Sequence, residues 1–253
     1  MKLLVAGSCE LMSAVYKDHV TSFSIRAFTG IAAGAVVLAS SLASPAEGAS
    51  SAVQAKAASQ IARGYSVPSK ATSLGQVNRL RVAAPASMAG YSRDKFPHWR
   101  DASAWGWPVA PSNACDVRSA ALYRDGSGVK INTRCTVTAG RWLDSYTATT
   151  ITTKASMDVD HVVPLAAAWR AGAKTWTAKR RTQFANDKLA LVSVQSSANR
   201  SKGDKTPDLW KPPNKAAWCL YAKRYTSIKT SYAMTTTASE KTALITMLNT
   251  CAR

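Results

Sequence analysis

SMDVDHVVPLAAAW, residues 156–169, contains one of the three histidines of the chain. The two-residue alternation of a β-strand sends Asp158 and Asp160 to one face and His161 to the other. A strand that ends at Pro164 can twist enough for Asp160 and His161 to border one cleft. The carboxylate could then bind a hard cation while the neutral imidazole takes a proton from water. A histidine beside aliphatic residues is also common in a structural role, so this stretch alone leaves both interpretations open.

A second stretch, ANRSKGDK at 198–205, follows a predicted strand and opens a predicted helix. Asn199 offers a neutral oxygen ligand in the first turn of that helix, and Arg200, Lys202 and Lys205 are candidate phosphate contacts. The alternative is a helix cap beside a solvated basic face. The order of the parts is more informative than either part: a strand with Asp-His, a strand, and then a helix that begins with Asn-Arg.

The formal net charge of +19, from 33 Lys and Arg against 14 Asp and Glu, predicts a polyanionic partner. A strongly basic chain attracts nucleic acid, acidic wall polymers or anionic lipid surfaces. Charge alone does not choose among them, and a general cationic surface on a secreted protein remains an alternative.

The N-terminal part predicts export. The run AFTGIAAGAVVLASSLA at 27–43 has no charge, is short for a bilayer span and precedes the small residues SPAEGAS. We therefore expect a signal peptide over 1–49, cleaved near 43–49, and a secreted, extracellular protein with no stable membrane association after cleavage. An uncleaved membrane anchor is the alternative.

The cysteines support an oxidising compartment. Cys9 falls in the predicted signal peptide, which leaves an even set of four without the close spacing of a zinc knuckle. Each of two pairs brackets a compact segment, so we predict the disulfides Cys115–Cys135 and Cys219–Cys251.

Composition divides the rest of the chain into a linker and one folded domain. Residues 50–90 are rich in Ala, Ser, Lys and Arg, which predicts a basic, poorly ordered linker. Aromatic residues become frequent from Tyr91 onward, so the domain is expected over 91–253. The pattern there predicts strands interrupted at Ala139-Gly140, a serine cap before ANRSKGD, and two C-terminal helices, the second capped at Ser239-Glu240.

Many separated positions together resemble the HNH endonucleases, and more narrowly their secreted bacterial members. The matching positions are Cys115-Asp116-Val117-Arg118, Cys135, 140–147, 160–165, 168–169, 172–173, Trp176, Arg181, 184–187, 199–204, Pro207, Trp210, Cys219 and Cys251. The resemblance covers about 91–253. It implies an α+β fold with a ββα-metal (HNH) core, additional helices, a short N-terminal β/α region and two disulfides.

The resemblance also implies roles for individual residues. His161 is expected to be the general base, and Asp160 and Asn199 the metal ligands. Oxygen ligands favour Mg²⁺ or Mn²⁺. Substrate contacts are expected from basic side chains in or beside the matching positions, namely Arg118, Arg181, Arg200, Lys202 and Lys205.

The sequence departs from minimal HNH motifs in two ways that affect the expected orientation of His161. His161 and Asn199 are 38 positions apart, and Ala190 stands where an asparagine is expected to orient the base. Asn186 or Gln195 is the expected substitute.

The sequence therefore predicts a metal-dependent endonuclease of DNA, with RNA as a second candidate, that has low sequence specificity. A non-catalytic cationic protein that binds nucleic acid or wall polymer on a degenerate HNH scaffold is the alternative. A serine hydrolase is disfavoured because the chain has no GxSxG motif.

Overall fold

The computed structural model describes residues 45–107 and 115–252. The predicted signal peptide lies outside this range except for its last five residues, which begin the first helix. The helices are α1 Pro45–Ser59, α2 Lys70–Arg79, α3 Val117–Asp125, α4 Leu165–Arg170, α5 Ala178–Asn186, α6 Ser196–Lys202, α7 Trp218–Ser231 and α8 Ala238–Asn249. The strands are β1 Ser127–Ile131, β2 Val137–Leu143, β3 Thr150–Ile151, β4 Met157–His161 and β5 Leu191–Gln195.

Two small antiparallel sheets carry the strands. One has the order β1-β2-β3, and the other is the pair β4-β5. In that pair Asp160 lies opposite Val192 and His161 lies opposite Leu191. Helix α6 follows β5 directly and packs on both strands of the pair. The strand pair and α6 together hold both sequence stretches from which the site was predicted.

The β4-β5 pair lies between two apolar clusters, which fixes the orientation of its side chains. Val192 and Val194 belong to a cluster with the buried tyrosines of α7. Val159 and Leu191 belong to a second cluster with Trp142 of β2. A one-residue slip would move Val192 and Val194 away from the first cluster, so the packing of specific side chains in each cluster opposes it.

Residues 50–90 differ from the prediction of a poorly ordered linker. Ile61 and Val77 are fully buried in the same cluster as Val192, and α2 packs against α7 and α8. A few apolar residues at helical spacing are enough to anchor a short helix, even where Ala, Ser and Lys dominate the composition. The folded region therefore begins before Tyr91.

The α+β class and both disulfides are confirmed. Cys115–Cys135 and Cys219–Cys251 each have a Cα–Cα distance of 4.9 Å. The second disulfide ties the start of α7 to the residues just after α8.

Local details of the prediction were less accurate. Strand β2 runs without a break through Ala139-Gly140. Helix α6 has Gln195 at its N-cap without a side-chain cap bond, rather than a serine cap. Helix α8 has its N-cap two residues earlier than expected, at Thr237, because Thr237 and Glu240 form a capping box.

Candidate active site

A cleft of about 430 Å³ lies where β4 ends and α6 begins. Four of the sequence-predicted residues line it: Asp160, His161, Asn199 and Arg200. Its other walls come from Tyr91, Arg93, Val159, Pro164, Leu165, Ala166, Gly203 and Asp204. The order of strand, strand and helix thus brings together residues that are far apart in sequence.

His161 is held by a carbonyl group at the end of a helix. Its Nε2 lies 2.9 Å from the backbone oxygen of Ala185, in the last turn of α5. The last four carbonyls of a helix have no partner within it, and a carbonyl only accepts, so Nε2 carries the proton and donates it. The ring is further enclosed by Phe184, His98 and Trp99, with centroids 6.0–6.2 Å away. The unprotonated nitrogen is therefore Nδ1.

The hydrogen bond to the Ala185 carbonyl orients the His161 ring although position 190 has no asparagine. Ala190 is buried, and its carbonyl accepts from the Val162 amide to extend the strand pair. The Asn186 side chain bonds Pro97, Arg100 and Thr182 rather than His161, so the expectation that it orients the base was wrong. A backbone carbonyl of helix α5 holds the His161 ring instead.

Burial keeps His161 neutral. Its pKa is lowered to about 3, first by desolvation and then by the positive charges of Arg93 and Lys202 and by His98; the Ala185 contact opposes this. A neutral imidazole at physiological pH has a free lone pair, which is the state that a general base requires.

The pKa of His161 predicts how the stability of the protein depends on pH. The unfolded chain takes up a proton near pH 6.5, whereas the folded chain does not until about pH 3, so stability falls as the pH decreases through this window. Between pH 6.5 and 4.5 the loss is about 2 kcal/mol for this group. Urea unfolding of the wild type and of His161→Gln in EDTA measures it: the variant should lack this part of the acid sensitivity. Equal losses in the two proteins would contradict a neutral, buried His161.

Asp160 is buried between two donors. The Tyr146 hydroxyl donates to its Oδ2 at 2.7 Å, and the Lys202 ammonium donates to its Oδ1 at 2.9 Å and to the His161 carbonyl at 2.9 Å. Burial raises the pKa of Asp160 and lowers that of Lys202, and the contact between the two opposes both shifts. Lys202 thereby fixes the end of β4 to helix α6.

Asn199 is held by the other acidic residue of β4. Its Nδ2 donates to Asp158 Oδ2 at 3.0 Å, and within the described residues its Oδ1 has no hydrogen-bond partner. Asp158 thus orients the amide, and Asn199 Oδ1 is an available oxygen ligand on the wall of the cleft.

The two predicted metal ligands, Asp160 and Asn199, are both oxygen donors, the kind that a hard divalent cation prefers. Within 45–107 and 115–252, no three His, Cys, Asp or Glu side chains come together to hold a metal. Each oxygen of the Asp160 carboxylate has a second lone pair, and Asn199 adds an amide oxygen. Mg²⁺ commonly uses one or two protein ligands and completes its shell with water and substrate phosphate.

Of the five predicted phosphate contacts, only Arg200 lines the cleft, where its side chain is exposed. Lys202 is fully buried and bonded to Asp160, so it is not placed to touch a substrate phosphate. Arg118 donates to the Met157 carbonyl, Arg181 to the carbonyls of Lys95, Ala173 and Trp176, and Lys205 to that of Ser201. These three support neighbouring backbone, and none of them lines the cleft.

Three residues in or beside the cleft were not predicted from the sequence. Arg93 and Tyr91 line the cleft together with Arg200, and no local pattern connected them with His161. Tyr146 lay within the matching positions but carried no assigned role. The structure shows that Tyr146 is fully buried, so its hydroxyl needs a partner, and nothing in the local sequence identifies Asp160 as that partner.

Similarity to known proteins identifies the family of this chain. The model of the C-terminal domain of GmrSD restriction endonucleases matches residues 116–247, just over half of the chain, and includes all of the strand pair and α6. An uncharacterized secreted protein of Arthroderma benhamiae is 40% identical over 187 residues, which cover 73% of this chain and 87% of that protein. No solved structure gives a significant match. The matched region is therefore a domain of the nuclease class. The chain belongs to the family of the C-terminal domain of GmrSD restriction endonucleases.

Two observations bear on localisation. The relative from Arthroderma benhamiae is named a secreted protein, and the two disulfides are typical of an oxidising compartment. Among the described helices, none is long and apolar enough to cross a membrane.

Proposed function

We propose that this protein is a secreted, metal-dependent endonuclease of the HNH class that hydrolyses phosphodiester bonds with low sequence specificity. DNA is the proposed substrate, with RNA as a second one. The observation that carries the proposal is the convergence of His161, Asp160, Asn199 and two arginines on one cleft. Membership of a nuclease family and the net charge of +19 support it.

In the proposed mechanism His161 activates the attacking water. Nδ1 accepts the proton while Nε2 keeps its bond to Ala185, so the ring does not turn as its charge changes. A phosphate entering the cleft brings negative charge close to the imidazole, which raises its pKa from the value in the free protein and makes it a stronger base. Desolvation thus keeps His161 neutral until the substrate arrives.

The cations of the cleft hold the substrate. Arg93 and Arg200 both line the cleft and would contact phosphate oxygens near the scissile bond. Neither contact depends on base identity, which accords with low sequence specificity.

Asp160 and Asn199 would hold Mg²⁺ or Mn²⁺. Such an ion relieves the charge on the nonbridging and leaving oxygens of the phosphate. Tyr146 and Lys202 keep the Asp160 carboxylate in place, and Asp158 keeps the Asn199 amide in place.

One observation favours the alternative of a non-catalytic nucleic-acid binder. Both oxygens of Asp160 already accept a hydrogen bond, so a cation has to use the remaining lone pairs. Binding of nucleic acid without cleavage is the outcome that this alternative predicts.

Plasmid cleavage tests the proposal. We expect the disulfide-bonded protein to nick and linearise supercoiled DNA with Mg²⁺ or Mn²⁺, and EDTA to abolish the activity because Asp160 and Asn199 then hold no ion. Cleavage that persists in EDTA would contradict the metal role. Retained DNA binding without cleavage across several divalent ions would instead establish the alternative.

A further inference from the structure

A second cavity, of about 320 Å³, lies outside the cleft between helix α1, the turn after it and strands β2 and β3. Its basic residues are Lys56, Arg63 and Arg141, which come from positions far apart in sequence. We define these three residues and Gln60 as the α1–β2 pocket. Nothing in the catalytic arrangement requires cations to gather there.

The positive charge of this pocket is largely unpaired. Lys56 and Arg141 make no side-chain hydrogen bond or ion pair with the described residues, and Arg63 uses only one nitrogen, which donates to the carbonyls of Arg124 and Gly126. The nearby Asp125 is already paired, because it accepts from Arg124 and from the Ser193 amide. The pocket therefore presents unused donors and net positive charge.

Gln60 provides the second, independent observation. Its side chain lines the pocket and is 6% exposed, and its Oε1 is buried without a hydrogen-bond partner in the described part of the chain. A buried polar group without a partner destabilises a fold by about 1–3 kcal/mol. If the amide turns, its NH₂ group takes the place of the unpartnered oxygen and can donate to a phosphate oxygen, which only accepts.

We propose that the α1–β2 pocket binds a backbone phosphate of the nucleic acid whose cleavage takes place in the cleft. The two sites are connected through a short segment: Leu143 lines the pocket, and three residues later Tyr146 contacts Asp160. An extended chain of this length and one tyrosine side chain place the sites within about 20 Å of each other. A strand of B-form DNA covers that distance in about six nucleotides. The inference rests on the proposed function for the identity of the ligand.

The test measures DNA binding in EDTA, where no cleavage is expected. We compare Lys56→Ala/Arg141→Ala with the control Lys130→Ala/Lys179→Ala, which removes the same charge from exposed side chains without hydrogen bonds. If each lost contact frees one phosphate, the slope of log Kd against log salt falls by about 1–2 in the pocket variant and changes little in the control. Equal changes in the two variants would overturn the proposal.

Gln60→Leu separates a binding role from a structural one. Removing an unpartnered buried amide should leave the unfolding midpoint unchanged or higher, while affinity for a short duplex falls several-fold. An unchanged affinity would overturn the role of Gln60. Titration of inorganic phosphate at constant ionic strength distinguishes free phosphate from a DNA backbone phosphate as the ligand. If inorganic phosphate stabilises the wild type while the salt slope for the duplex is the same in all variants, the pocket binds free phosphate. The proposed contact with the DNA backbone is then wrong.

These results are independent of the cleavage assay. A protein that cleaves DNA with equal slopes in both double variants retains its proposed function and loses the pocket. A protein with the expected slopes that never cleaves retains the pocket and loses the nuclease proposal.

Discussion

His161→Gln is expected to lower the rate of phosphodiester cleavage by about 10²–10⁴-fold, the usual contribution of a general base. Glutamine can keep the bond to the Ala185 carbonyl through its NH₂ group, but it has no lone pair of comparable basicity. The variant therefore removes the base while preserving the contact that holds the side chain. Single-turnover cleavage of a labelled duplex in Mn²⁺ measures the rate directly.

His98→Gln is the matched control for this experiment. His98 lies beside His161, at a centroid distance of 6.2 Å, but its Nδ1 donates to the Phe96 carbonyl and it does not line the cleft. We expect its rate to stay within a few-fold of the wild type and its DNA affinity to match that of His161→Gln. Full activity in His161→Gln, or a loss of equal size in His98→Gln, would show that the base was assigned to the wrong group.

The strand pair and the disulfides were predictable because each rests on local pattern or simple counting. Val159, Val192 and Val194 alternate with polar residues, a pattern that predicts strands. Four cysteines that form two pairs, each enclosing a compact segment, favour one of the three possible pairings. Asp160, His161, Asn199 and Arg200 met in one cleft because the short α6 follows β5 without a loop.

The remaining participants depend on tertiary contacts that no local pattern encodes. Arg93 reaches the cleft from a segment without regular periodicity, and the group that orients His161 is a backbone carbonyl, for which side-chain identity gives no signal. Lys202 was misjudged for a related reason. A lysine in a basic run is usually solvated, and only the buried Asp160 opposite explains why this one is enclosed.

Lys202→Met is expected to lower the free energy of unfolding by about 3–5 kcal/mol, because it leaves the buried Asp160 carboxylate without its counter-charge. Asp160→Asn/Lys202→Met removes both charges and should recover much of this loss. Urea unfolding at neutral pH with both disulfides intact measures the three proteins. Lys205→Met, an exposed lysine three residues further on, is the control and should change stability by no more than about 0.5 kcal/mol.

The same variant connects stability with the proposed metal site. If Asp160 is a ligand, Mg²⁺ or Mn²⁺ supplies positive charge to the carboxylate that has lost its ammonium, so these ions should raise the unfolding midpoint of Lys202→Met more than that of the wild type. The double variant, which has no carboxylate at position 160, should gain least. A Lys202→Met protein as stable as Lys205→Met would mean that Asp160 carries no buried charge. A large loss that divalent ions do not reduce would leave the ion pair purely structural and remove Asp160 from the metal site.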